Sequence, residues 1–97
     1  MSKINDLNDG DKKVDVTAIV IGKTETREVN TQNGPNNVNN TQISDETGEI
    51  KLVTWGEINP ILKTGKKIQI NSGYITQWNG ELQLNVGRYG EIVALSP

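Results

Sequence analysis

Apolar and polar residues alternate along most of the chain, and turn-forming residues separate the alternating stretches. Alternation with a period of two is typical of a β-strand that buries one face. A polar, β-compatible segment over 24–30 and a turn over 31–35 separate the first strand from its return strand. The pattern therefore predicts an all-β fold with five main strands, at about 13–23, 37–44, 49–55, 68–78 and 82–86.

The alternation changes phase within the fourth strand. Ile68 and Ile70 occupy even positions, whereas Ile75 occupies an odd one. One extra residue in a strand, a β-bulge, moves the following side chains to the opposite face. We therefore predict a bulge or bend near Gly73, which turns Tyr74 and Trp78 outward.

The segment between the third and fourth strands predicts only a short helix over 56–62, because Pro60 is tolerated in a first turn but not in a long interior. Five strands with a short helix between strands 3 and 4 describe the OB-fold, a partly open Greek-key barrel. An SH3-like barrel is the alternative, but it usually lacks that helix. Because 97 residues form one small domain, we expect a single OB-fold domain over 1–97, with a barrel core at about 12–95.

The composition excludes several kinds of chemistry. The chain has no Cys and no His, so it has no thiol nucleophile and lacks the commonest general base and metal ligand. Neither a phosphate-cradling glycine loop nor a calcium-loop pattern is present. We expect no enzymatic activity, no metal and no cofactor. No run reaches the roughly 18 apolar residues of a membrane span, and the first residues lack the apolar stretch of a signal peptide. We therefore expect a cytoplasmic location without membrane association.

The aromatic residues are the strongest candidate functional groups. Trp55, Tyr74 and Trp78 fall on outward strand positions, while Val, Ile and Leu fill the inward ones. Tyr74 and Trp78 lie four residues apart on one strand face, or roughly 13 Å. Stacked rings need centroids within about 4.5–7 Å, so these two rings cannot stack on each other. Each can stack on its own base, which contributes about 1–3 kcal/mol and tolerates any sequence.

The charge balance argues against binding driven by phosphates. The formal net charge is −2, whereas proteins that bind nucleic acid mainly through phosphates usually carry a strongly basic face. Stacking would then supply most of the affinity. The cations best placed beside the aromatic face are Arg27 and Lys51, with Lys23 in the connection that leads to it, and Arg88 is a further candidate near the end of the chain.

Several separated motifs agree in order and spacing with one known family. They are VNT at 29–31, DETG at 45–48, LVTWG at 52–56, GY at 73–74 and WNGELQLNVGRYG at 78–90. In these motifs the chain resembles the archaeal single-stranded DNA-binding proteins, short relatives of replication protein A that are similar to the human single-stranded DNA sensor proteins. The resemblance covers nearly the whole chain, from about residue 4 to residue 93.

The resemblance implies an OB-fold that stacks bases of single-stranded DNA on aromatic residues of its third and fourth strands. Asn85 stands at a position that is Asn in some members of the family and aromatic in others. The interface residues that the resemblance implies are Trp55, Tyr74, Trp78, Arg27, Thr31, Asn33 and Asn85. The cations Lys51 and Arg88 complete the set of candidate site residues.

The predicted function is sequence-tolerant binding of single-stranded DNA by a monomer associated with the nucleoid, protecting exposed strands in replication, recombination or repair. Replication and repair proteins are the expected protein partners. Two alternatives stay open. The aromatic face of an OB module can dock a peptide or another subunit, and stacking barely distinguishes DNA from single-stranded RNA.

Overall fold

The chain folds as a strongly curved, mainly antiparallel β-sheet. The computed structural model describes residues 2–87 and 90–95. These residues form a 3₁₀ turn at Ile4–Asp6 and seven strands. The strands are β1 (Val14–Val20), β2 (Glu25–Thr31), β3 (Gly34–Asp45), β4 (Gly48–Trp55), β5 (Lys67–Trp78), β6 (Glu81–Asn85) and β7 (Glu91–Ala94).

Five of these strands close into a ring. β1 lies antiparallel between β3 and β5, and β3 pairs with β4. The ring closes because β4 pairs in parallel with β6, which pairs with β5. This arrangement is that of an OB-fold and confirms the predicted fold class. β2 lies outside the ring and forms an arm by pairing with β3, and β7 is added at the edge of β5.

The ring encloses an aliphatic core. Burial of each such side chain contributes about 1.5–3 kcal/mol relative to exposure. Leu62, from the β4–β5 connection, joins the core at one end, and Ile4 and Leu7 join it from the N-terminal segment. The largest fully buried aliphatic residues of the strands are Val16, Val20, Ile43, Leu52, Ile68, Ile70, Ile75 and Leu84.

A β-bulge changes the face that β5 buries. The pairing register of β1 and β5 shifts where Asp15 lies opposite two residues, Asn71 and Ser72. Ser72 has a positive φ of 58°, and its N–H donates to the Asp15 carboxylate at 2.9 Å. Before the bulge the even-numbered Ile68 and Ile70 are buried, and after it the odd-numbered Gly73 and Ile75 are buried. The predicted bulge near Gly73 is therefore confirmed.

The connection between β4 and β5 differs from the expectation. Residues 56–66 form turns instead of the short helix expected over 56–62. Pro60 disfavours helical geometry for the residue before it, and the side chain of that residue, Asn59, accepts the N–H two positions further on at 3.1 Å. This local bond competes with a helical turn. Leu62 still reaches the core, so the turns contribute an apolar side chain to one end of the ring.

Asp45 joins the N-terminal segment to the β3–β4 turn. Its carboxylate accepts the Ile4 N–H at 2.8 Å, the Thr47 N–H at 2.7 Å and the Thr47 hydroxyl at 2.6 Å. The Gly48 N–H adds a contact at 3.2 Å. Burial raises the pKa of Asp45, but the hydrogen bonds from Thr47, Ile4 and Gly48 together outweigh burial and hold the pKa below its ordinary value.

Gly73 lies where β5 approaches β6 too closely for a side chain. A Cβ added at Gly73 would lie 2.7 Å from Leu84 Cδ1 and 3.1 Å from the Asn85 carbonyl oxygen. We expect Gly73→Ala to lower the free energy of unfolding by about 1–3 kcal/mol through overpacking, measured by urea denaturation. Gly48→Ala is the matched control, because its Cβ would meet Ile4 at an ordinary 3.8 Å. Equal losses in the two variants would contradict this account.

The lowered pKa of Asp45 predicts how stability responds to acid. Between the folded-state and unfolded-state pKa values the unfolded chain binds more protons, so the free energy of unfolding falls as the pH falls. The contribution of Asp45 is complete above its ordinary pKa near 3.9 and is lost as the pH drops through the lower folded-state value. Asp45→Asn should therefore flatten the stability profile measured by urea unfolding between about pH 6 and pH 2. Parallel profiles for the two proteins would refute this role.

Candidate nucleic-acid interface

The outer face of β4 and β5 carries the three candidate aromatic residues, two of them at strand ends. Trp55 ends β4 and Trp78 ends β5. Their side chains are 47% and 62% exposed, and that of Tyr74 is 39% exposed. A core aromatic would be nearly covered, so all three rings face solvent, as the strand phase predicted.

Trp55 and Trp78 line one groove. It has a volume of about 250 Å³ and lies between the β2–β3 arm and the β5–β6 hairpin. Apolar and polar groups share its wall, as in sites where bases stack and their edges form hydrogen bonds. Its lining residues are Arg27, Val29, Val38, Asn40, Lys51, Val53, Trp55, Trp78, Gln83 and Asn85.

Tyr74 lies beside the groove. It pairs with Asn85 in the β5–β6 register, and a Cβ added to Gly87 would lie 3.3 Å from its ring. The tyrosine ring therefore lies close to Gly87, in the backbone that follows β6. The structure brings two of the three predicted platforms into one groove and places the third on the adjoining surface.

Asn85 forms part of the floor of the groove. Its side chain is buried, and its Nδ2 donates to Thr76 Oγ1 at 2.9 Å and to the Tyr74 carbonyl at 3.3 Å. These bonds tie β6 to β5 directly below the aromatic face. Asn85 thus fixes the geometry of the floor and offers no ring for stacking.

Arg27 faces Trp55 across the arm. It pairs with Val38 on β3, and Val38 pairs with Trp55 on β4. Two strand spacings of about 4.8 Å put the Arg27 and Trp55 backbones roughly 10 Å apart, and both side chains line the groove between them. Arg27 belongs to neither of the ion pairs formed by the described residues, so its guanidinium is available to a ligand.

Lys51 lines the groove and lies beside a carboxylate. Its Nζ lies 4.0 Å from Glu81 Oε2, and the Glu81 side chain is 71% exposed. An exposed pair at this distance contributes about 0–1 kcal/mol. A phosphate can therefore replace Glu81 as the partner of Lys51 at little cost.

Thr31 and Asn33 lie at the tip of the β2–β3 hairpin and not in the groove. The Thr31 hydroxyl donates to the Gly34 carbonyl at 2.6 Å and accepts the Asn33 N–H at 3.2 Å. Both residues thus help to close the turn, and both are exposed. Arg88 lies outside the described residues.

The lining also contains residues that sequence reasoning did not single out. Val38 and Val53 are buried, yet both lie outside the core cluster. They form an apolar floor next to Trp55, to which Val38 is paired. The sequence did contain one indication of this apolar floor: Val53 is an apolar residue on the outward phase of β4, between Lys51 and Trp55.

In the part of the chain that the structure describes, no helix is long and apolar enough to cross a membrane. In the same residues, no group of three or more His, Cys, Asp or Glu side chains could hold a metal ion.

Thr54, on β4 between Val53 and Trp55, has a buried hydroxyl. Its Oγ1 has no hydrogen-bond partner among the described residues. A buried unpaired hydroxyl costs about 1–3 kcal/mol, so we expect Thr54→Val to leave stability unchanged or to raise it by up to about 1 kcal/mol. Thermal denaturation compares this variant with Thr41→Val, whose hydroxyl lies 2.7 Å from that of Thr24 and whose loss should destabilise. A destabilised Thr54→Val protein would show that the hydroxyl has a partner.

Comparison with known families agrees with this fold. A family model described as single-stranded DNA binding protein Ssb-like, OB fold, matches residues 10–94. The single-stranded DNA binding protein Ssb of Saccharolobus solfataricus is 32% identical over 97% of this chain and 64% of its own length. Replication factor A of Methanothermobacter thermautotrophicus is 27% identical over 96% of this chain and 12% of its own length. The chain therefore spans less than two thirds of either relative.

Solved structures share the same fold. A replication factor A related protein from Methanobacterium thermoautotrophicum superposes with a TM-score of 0.82 at 26% identity, covering 100% of this chain and 92% of that one. An OB domain from Thermoplasma acidophilum has a TM-score of 0.86 at 24% identity, covering 99% and 87%. A replication protein A heterotrimer bound to single-stranded DNA has a TM-score of 0.81 at 18% identity, covering 100% of this chain and 25% of that one.

Proposed function

This chain belongs to the Ssb-like family of OB-fold single-stranded DNA-binding proteins, and we propose that it binds single-stranded DNA with little sequence preference by stacking bases on Trp55 and Trp78. Tyr74 offers a third base a platform beside the groove. The observation that carries the proposal is the exposure of both tryptophans in one groove that also contains Arg27 and Lys51.

Stacking can supply enough affinity without a basic surface. Each stacked base contributes about 1–3 kcal/mol. The two tryptophans together would contribute roughly 2–6 kcal/mol, and a base on Tyr74 would add about 1–3 kcal/mol. Arg27 can add a cation–π contact or hold a phosphate, and Lys51 can exchange Glu81 for a phosphate. Sequence tolerance follows because every base presents a π-face.

In this proposal the protein acts as a non-catalytic monomer that covers exposed strands during replication, recombination or repair. Replication and repair proteins would then be its protein partners. Single-stranded RNA is the competing ligand, because the stacking platforms contact bases and not the 2′-hydroxyl. Matched DNA and RNA oligonucleotides in one competition assay separate these two ligands.

Trp55→Ala and Trp78→Ala should each weaken binding of a fluorescently labelled oligothymidylate by roughly fivefold to more than a hundredfold, which corresponds to about 1–3 kcal/mol per stacked base. Fluorescence anisotropy of the labelled strand measures the affinity and does not depend on how many tryptophans the variant retains. For a strand that fills only the groove, two or three phosphate contacts would give a log–log salt slope near −1.4 to −2. A slope steeper than about −4 would contradict a binding mode dominated by stacking.

Ile19→Ala is the control, because Ile19 is a large exposed apolar residue, 46% exposed, on the outer face of β1 and outside the groove. Its affinity should match that of the wild type. If the wild type binds no oligonucleotide at micromolar concentrations, the aromatic groove serves a peptide or another subunit instead.

A further inference from the structure

Three lysines gather at one end of the ring, outside the groove. Lys63 and Lys66 lie in the β4–β5 connection, and Lys23 lies between β1 and β2. The Val20 N–H at the end of β1 donates to the Lys66 carbonyl at 2.9 Å, and the Lys66 N–H donates to the Lys63 carbonyl at 3.0 Å. These bonds hold Lys63 and Lys66 within one turn. The turn lies next to the end of β1, and Lys23 follows that end in the chain.

Lys23 connects this lysine cluster (Lys23, Lys63 and Lys66) to the groove. The N–H groups of the two residues before Lys23 donate to the Gln42 carbonyl at 3.0 and 3.3 Å, and Gln42 pairs with Lys51 on β4. Ile21 therefore lies across β3 from Lys51, at about two strand spacings or roughly 10 Å, and Lys23 follows two residues later. The cluster thus begins beside the groove, on the other side of β3 from Lys51.

Two of the three lysines, Lys63 and Lys66, lie in a stretch without carboxylates, whereas Lys23 is followed by Glu25. No Asp or Glu occurs between positions 58 and 80. The ion pairs of the described residues are Lys3–Glu46 and Lys51–Glu81, and neither involves the cluster. Lys67 differs, because it lines a shallow pocket together with Asp45 and Glu46, so we leave it out of the cluster.

We propose that a DNA strand leaving the groove past Lys51 continues over the lysine cluster, which contacts two or three further phosphates. This inference rests on the proposed function and assigns it a second contact surface. Lysine ammonium groups on flexible stems contact phosphates as point charges and need no shaped pocket. A protein of net charge −2 can in this way present a local basic surface to a polyanion.

The test compares two oligothymidylates across the range of about 4–16 nucleotides that one OB-fold covers. One of about 5 nucleotides fills the groove, and one of about 16 reaches the cluster. The test variant is Lys63→Gln with Lys66→Gln, and Lys3→Gln with Lys67→Gln is the control with the same loss of charge. We expect the test variant to bind the long strand on the order of tenfold more weakly at low salt, with a salt slope shallower by about 1.4, since each contact contributes about 0.7.

Binding of the short strand by the test variant should match that of the wild type and of the control. If all three proteins bind the long strand equally while Trp55→Ala binds it weakly, the lysine path is overturned and the groove is not. If the test and control variants lose affinity equally, the effect is one of net charge and the path is also overturned. Unchanged DNA binding with lost binding of a polyglutamate peptide would assign the cluster to an acidic protein partner instead.

Discussion

Asp15 on β1 faces two residues of β5, and the extra residue, held by the bond from the Ser72 N–H to the Asp15 carboxylate, decides which side of β5 meets water. Before the bulge β5 buries its even positions against β1, and after it β5 buries Gly73 and Ile75 against β6. Without the extra residue the second half of β5 would turn Tyr74 and Trp78 into the core. Both the core and the outer aromatic face thus depend on this one irregularity.

The bulge also explains why Gly73 has no side chain. After the bulge, β5 lies close to β6, whose Leu84 fills the core. Leu84 Cδ1 occupies the space that a Cβ at position 73 would need. The same close pairing brings Asn85 under Tyr74, so that one buried amide joins both strands below the groove. Tight packing inside the ring therefore sets the positions of rings outside it.

Much of this could be predicted from the sequence, because alternation carries two kinds of information. The period identified the strands, and the change of phase between Ile70 and Ile75 located the bulge. The β4–β5 connection was predicted wrongly as a helix, because the local bond of the Asn59 side chain favours turns and leaves no trace in hydrophobic periodicity. The separation of Thr31 and Asn33 from the groove likewise depends on the length of the β2–β3 arm, which alternation alone does not fix.

Tyr74 shows a second limit of strand phase. Phase gives the side of the sheet on which a ring lies, and it gave that side correctly for Trp55, Tyr74 and Trp78. It does not describe what each ring lies against: Tyr74 lies close to Gly87, while the two tryptophans line the same groove. A ring that already lies against a neighbour loses less freedom when a ligand covers it, since folding has already restricted its side chain. In the proposed binding mode Tyr74 would therefore be the more preorganised platform, although it lies outside the groove, whereas Trp78, the most exposed of the three, would be ordered only by a bound base.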